Sequence, residues 1–239
     1  MRRKTFTWQL PATIEARLGE KTYGRQRTIF EEDHLLIILH TPPDPETHKR
    51  DAWVFLRKPD GSLMWNGQEN GEEKLKRLLK NYAELYERLD DAEEAARSAA
   101  DLLEVLEALS PLNRASTNLA NTLQSARDLV KDDAFLIAVR DEAYEVSRNF
   151  DLLLSDAQLA LDYRTAKSAE EQHAKADEMA RAQHKLNLIA AATFPLMAVA
   201  ALFGMNLVHG LEQTPGVFWL ALMIAGAVGA GTIHWVTRR

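Results

Sequence analysis

The residues able to do chemistry in the last quarter of the chain are few and close together. Between two apolar runs stand Gly204-Met205-Asn206, His209 and Glu212, which put an amide, an imidazole and a carboxylate into a short polar loop. Glu212 is the single acid and His209 the single histidine between residues 188 and 233. A carboxylate attracts cations, and an amide oxygen accepts hydrogen bonds without carrying charge. Glycine and asparagine also end helices, so the triplet reads as a cap as well. Glu212 reads equally as an exposed loop glutamate, and His209 as a loop residue rather than a ligand.

No other cluster competes with this one. The chain has no cysteine, which removes thiolate metal sites and cysteine nucleophiles. It has no Gly-rich phosphate loop, no His-Glu-x-x-His and no nucleophile beside a base, so neither an enzyme nor a bound cofactor is expected. A formal net charge of −6 argues against nucleic acid as the partner. The N-terminal "MRRKTFTWQL" is basic but has no apolar run behind it, so no cleaved signal peptide is expected.

The elements that must position Asn206 and Glu212 are the apolar runs on either side. Residues 188–203 have Thr193 as their only polar side chain, and residues 217–233 have only Thr232. With their flanks they reach about 18 and 20 residues, near the ~20 that cross hydrocarbon. A buried soluble hairpin is the alternative. Three details favour the membrane. Trp219 and Trp235 stand near opposite ends of the second run, as interfacial tryptophans do. Gly226, Gly229, Ala230 and Gly231 offer a small-residue surface for close helix packing. Arg181 and Lys185 precede the first run and Arg238 and Arg239 follow the second, while residues 207–216 hold no Lys or Arg. Positive charge stays on the cytoplasmic side. The expectation is a multi-pass protein of the cell (inner) membrane, with both termini cytoplasmic and a short outer loop at 207–216.

Upstream, the chain changes character at Gly71. Before it, "KTFTWQL" alternates like a strand, and "PATIEARLG" suits a short helix from Pro11 to Gly19. "RTIFEEDHLLIILH" and "DAWVFLRKPDGSLMWN" look like strand pairs, the second turning at Pro59-Asp60-Gly61. "TPPDPETHKR" is a loop. After it, no glycine occurs until Gly204, which is the composition of long helices. Ser110-Pro111 marks an expected break, and Asp132 or Asp133 an expected cap for one last long helix. In that helix Leu136, Val139, Ala143, Val146, Phe150, Leu153, Ala157 and Ala160 recur at heptad spacing. Such a seam needs partner helices, from the same chain or from copies. Past Arg164 it turns polar. Glu170/Glu171 and Asp177/Glu178 read as a solvated face, with a divalent-ion sensor as the sharper alternative.

The fold class is therefore an α+β membrane protein. A small mixed α/β cytoplasmic domain (1–71) precedes a cytoplasmic helical bundle and stalk (72–185) and a two-helix transmembrane hairpin (186–239). The stalk helix is continuous with the first span.

"KLNLIAAATFPLMAVAALFGMN", followed by a ten-residue loop and a second span with a basic end, resembles the CorA family of magnesium transporters. The triplet alone is weak. Its place is specific: it closes the penultimate span, with Pro195 nine residues before the glycine. The likeness covers residues 181–239 closely and the stalk in architecture only. It implies a homopentamer whose first spans line a pore for divalent cations, Mg²⁺ first. Asn206 would form a ring that meets the hydrated ion, Gly204 and Met205 would shape the turn presenting it, and Glu212 would make a negative mouth. The family's register turns Ala201, Met197, Phe194, Ala190, Leu186 and Gln183 towards the axis, with Phe194 and Leu186 as an apolar gate. Lys185, Arg238 and Arg239 form the cytoplasmic basic flank. The zinc-transporting ZntB branch resembles CorA closely and is the rival in ion. A non-conducting, membrane-anchored oligomeric scaffold is the rival in class.

Overall fold

The computed structural model describes residues 8, 10–44, 47, 49–204 and 214–237. The first strand expected, within "KTFTWQL", lies almost wholly outside them. Both expected strand pairs form. Strands β1 (Arg27–Glu31), β2 (His34–His40), β3 (Ala52–Arg57) and β4 (Leu63–Trp65) make an antiparallel sheet in the order β1-β2-β3-β4. β1 and β2 join through Glu32 and Asp33 alone, both at positive φ (51° and 57°), the backbone of a two-residue hairpin turn that matches strand twist. β3 and β4 join through Pro59-Asp60-Gly61. There Gly61 takes φ 86°, and Asp60 Oδ1 accepts from the Ser62 backbone N–H (2.9 Å) and hydroxyl (2.6 Å).

β2 does not alternate between apolar and polar, because both of its faces are covered. Leu35, Ile37 and Leu39 join the core shared with the helices, while Leu36 and Ile38 pack with Ile14, Leu18, Tyr23, Val54 and Leu56 on the other side. A strand buried on two faces reads as a continuous apolar run. The second cover includes α1 (Ala12–Glu15), which is one turn long and stops well short of Gly19.

Three helices complete this part: α2 (Gly71–Ala95), α3 (Ala99–Leu129) and the start of α4 (Ala134–Gly204). Gly71 is fixed by close approach, since any Cβ there would collide with the Leu63 backbone. The expected break at Ser110-Pro111 does not occur; α3 runs through Pro111. Proline removes one N–H, and the burial of Leu109, Leu112 and Ala115 on both sides holds the helix together. The chain breaks instead at Ala96, whose ψ of 128° leaves the helical region. Ser98 then starts α3 with a capping box, its hydroxyl accepting from Asp101 N–H while Asp101 accepts from Ser98 N–H (2.8 Å).

Asp133 caps α4 as expected: Oδ1 accepts from the N–H groups of Phe135 and Leu136, each at 3.0 Å. Of the two partners left open for the heptad seam, this chain supplies one itself. Leu136, Val139, Ala143, Val146, Phe150, Leu153 and Ala157 are all buried in one core with α2, α3 and the sheet. Phe150 meets the Tyr86 ring edge-on at 5.9 Å. Ser147 bonds Thr117, and Asp151 bonds Asn113, both at 3.4 Å. Arg164 closes the seam by donating to the Ala96 carbonyl at 2.6 Å.

The chain divides into two compact units, residues 1–166 and 167–239. The second holds the rest of α4 and α5 (Pro215–Thr237). α5 begins at Pro215, so the expected loop 207–216 gives its last two residues to the helix, with proline in the first turn where its missing N–H is harmless.

Candidate functional site

Among the described residues, α4 and α5 are the two helices long and apolar enough to cross a membrane. The apolar window of α4 is 0% buried and that of α5 only 11% buried. The sole hydroxyl of each run is satisfied inside its helix: Thr193 donates to Ile189 O at 2.9 Å and Thr232 to Gly229 O at 2.8 Å.

The two helices touch at a small residue. A Cβ on Gly229 would lie 3.0 Å from Ala192 O and 3.6 Å from Ala191 O. Ala191 is four residues before Pro195, so its carbonyl has lost its usual helical donor. Glycine lets α5 approach where that carbonyl is bare, and Ala225 is buried one turn away. Nearer the loop, Phe203 meets Phe218 edge-on at 5.3 Å. The expected small-residue surface is thereby split. Gly229 faces α4, whereas a Cβ on Gly226 or Gly231 would meet nothing within 4 Å.

This contact fixes the direction of the candidate pore stripe. Leu188, Ala192, Pro195, Val199 and Phe203 are the partly covered positions of α4 on the α5 side. At about 100° per residue, Leu186, Ala190, Phe194, Met197 and Ala201 centre about 180° around the helix from them. Leu186 (65% exposed), Phe194 (70%) and Met197 (65%) are bare, as are Gln183 and Ala201, and Ala190 is partly covered. The stripe therefore forms one continuous face pointing away from α5, free to meet lipid or another copy. Gly204 is the last helical residue and is exposed. It is not among the glycines at positive φ, so it is not a left-handed cap.

Met205, Asn206, His209, Glu212, Arg238 and Arg239 lie outside the described residues. Lys185 is exposed on α4, next to the first apolar run. Glu170, Glu171, Asp177 and Glu178 are exposed as well. Among the described residues no three histidines or carboxylates come together to hold a metal, which leaves the ion-sensor alternative without a cluster in the single chain.

No family model matches the chain, and no curated protein matches it. Among solved structures, the full-length CmaX protein aligns over 98% of this chain and 82% of its own, at 20% identity and a TM-score of 0.49. At that score the likeness decides nothing about activity.

Reading the sequence missed one ion pair that organises the first unit. Arg57 Nε donates to Asp133 Oδ2 at 2.5 Å, with both side chains largely covered. One carboxylate thus caps α4 through Oδ1 and holds β3 through Oδ2. The cap was legible; the partner, 76 residues away, left no local signal.

Proposed function

We propose that the chain is one subunit of a homo-oligomeric, membrane-embedded channel or transporter for divalent cations, Mg²⁺ first. The observation that carries this reading is the bare face of α4. It runs from Gln183 to Ala201 and points away from α5, and Gly204 and Asn206 follow it in sequence. Two helices cannot enclose a pathway, so several copies must place this face around a common axis; five is the number the CorA resemblance brings. α4 and α5 cross the bilayer in this reading, with Lys185, Arg238 and Arg239 on the cytoplasmic side.

The chemistry asked of Asn206 is modest. Mg²⁺ prefers octahedral oxygen and gives up water reluctantly. A ring of neutral amide oxygens accepts hydrogen bonds from the ion's own water and requires no dehydration. Glu212 adds negative potential at the mouth and raises the local concentration of cations. Leu186 and Phe194 narrow the pathway, and an apolar constriction closes by expelling water.

A second reading keeps the assembly and removes the flux. The bulk of Phe194 on an all-apolar stretch favours a sealed membrane anchor. Flux in proteoliposomes across Mg²⁺, Zn²⁺, Co²⁺ and Ni²⁺ separates the two, and ranks magnesium against zinc. Wild type is expected to conduct, and Asn206→Leu to lose divalent flux with the oligomer intact by native mass spectrometry. A leucine variant that transports like wild type would remove Asn206 from the pathway, and monomers alone in the spectrum would sink the assembly.

A further inference from the structure

Between β2 and β3, the described residues 41–44, 47 and 49–51 form an arm. It is pinned by hydrogen bonds from Thr41 N to Asp51 O (2.9 Å), Asp51 N to Thr41 Oγ1 (2.9 Å) and Asp44 N to Lys49 O (3.0 Å). The arm leaves a cleft of about 580 Å³ against α2, lined by Arg50, Glu84 and Arg88 among others. A second cleft of about 580 Å³ opens against α3, lined by Arg50, Glu107, Arg114 and Asn118 among others. Pro43 and Arg50 belong to both, so the two are neighbours with Arg50 at their junction.

Beside Thr41, which lines the first cleft, the end of β2 is held by polar contacts. His40, 7% exposed, donates its backbone N–H to Gln26 Oε1 (3.3 Å), and Gln26 Nε2 donates to Ala115 O in α3 (3.1 Å). The buried Tyr82 hydroxyl donates to His40 O at 3.2 Å. The end of β2 is thus tied to both α2 and α3. The positive charge of Arg50 bears on both His40 and Tyr82, yet Arg50 has no carboxylate partner among the described ion pairs. Arg88 and Arg114 each spend their Nε on a carbonyl of their own helix, Glu84 O and Ser110 O, which leaves the guanidinium ends unassigned.

We infer that these joined clefts bind a small multivalent oxyanion, with Arg50 as the central contact and Arg88 and Arg114 at the two ends. Guanidinium forks match phosphate and carboxylate oxygens in pairs. Three of them spread over two adjoining clefts suit a ligand with more than one anionic group. Asp44, Asp51, Glu84 and Glu107 line the same walls and balance Lys49, Arg50, Arg88 and Arg114, so the site has no long-range pull. Affinity must come from direct contact, and monovalent anions should be rejected.

The test uses the full chain in detergent, titrated calorimetrically in metal-free buffer at constant ionic strength. Sodium pyrophosphate and sodium citrate are the probes, one supplying phosphate oxygens and the other carboxylates; sodium chloride is the control. Saturable binding of either probe, weakened about tenfold or more by Arg50→Ala and several-fold by Arg114→Gln, is the expected result. Whichever probe binds identifies the oxyanion class. Arg50→Lys should recover only part of the loss, because it restores charge without the fork. Thermal unfolding of each variant reports whether it folds, and Arg114→Gln alone serves if Arg50→Ala does not. No saturable heat with either probe overturns the proposal, and so does binding that the arginine substitutions leave unchanged.

Discussion

One helix carries two apolar stripes of nearly the same spacing and opposite fate. In α4, Leu136 to Ala157 is buried to the last residue against α2, α3 and the sheet. Further along, the stripe from Leu186 to Ala201 is bare except at the partly covered Ala190. Periodicity shows in both cases that a helix face needs a partner; it says nothing about who the partner is. The upstream answer is in the same chain, where α2 and α3 bring Tyr86, Leu109 and Leu119 to the seam. Downstream, α5 takes the opposite face and leaves the stripe to lipid or to copies. The heptad seam is thus spent within the subunit.

The sharpest way to break this contrast is to truncate one phenylalanine in each stripe. Phe150 is fully buried and packs edge-on against Tyr86, so Phe150→Ala should cost about 3–5 kcal/mol in chemical denaturation of the first unit. Phe194 is 70% exposed in the single chain, so Phe194→Ala should leave that unit's denaturation midpoint unchanged. If Phe194 forms the apolar gate, the same substitution should raise cation leak through reconstituted protein. Equal destabilisation by the two would mean that the second stripe is a core after all.

Asp133 gives the next largest effect. Asp133→Ala removes a helix cap and strands the largely covered Arg57, a loss of about 3 kcal/mol. Asp133→Asn keeps an oxygen for the cap and removes the charge, so it should recover part of that loss. Hydrogen exchange at Phe135 and Leu136 tells the two roles apart: fast in the alanine variant and slower in the asparagine one. Unchanged stability in Asp133→Ala would show that α4 is anchored by apolar packing alone.

What the sequence revealed follows from where the physics is local. The strand pairs, the turn at Gly61, the Asp133 cap and the glycine-free helices all rest on residues within a turn or two of each other. The Pro111 break failed because a proline's local penalty is outweighed by burial on both sides of it, which only packing reveals. The true break at Ala96 did carry a local sign, the Ser98-x-x-Asp101 box, which the prominence of Pro111 obscured. The two long apolar helices were legible from composition, and the stripe's direction emerged only once Gly229 was found against Ala192. Arg57–Asp133 and the Arg50 clefts join residues far apart in sequence, and nothing near them announces the pairing.

The smallest effect expected is a pH dependence confined to the first unit. His40 is held below its ordinary pKa of 6.5, chiefly by burial and then by the positive charge of Arg50, with the Gly24 carbonyl opposing (3.1 Å from Nε2). The folded state therefore binds this proton less readily than the unfolded chain. Stability is complete above about pH 6.5 and declines as pH falls from there towards the lower folded pKa, because only the unfolded chain gains the proton in that window. Urea midpoints of the full chain should fall between pH 7.5 and 5.5. In Arg50→Ala the decline should begin at the same pH but be shallower, since one cause of the lowered pKa is gone. His40→Gln should flatten it further, as glutamine has no proton to gain. A wild-type midpoint that stays level over this range, or a His40→Gln profile as steep as wild type, would show that His40 does not set the acid sensitivity of the sheet and bundle.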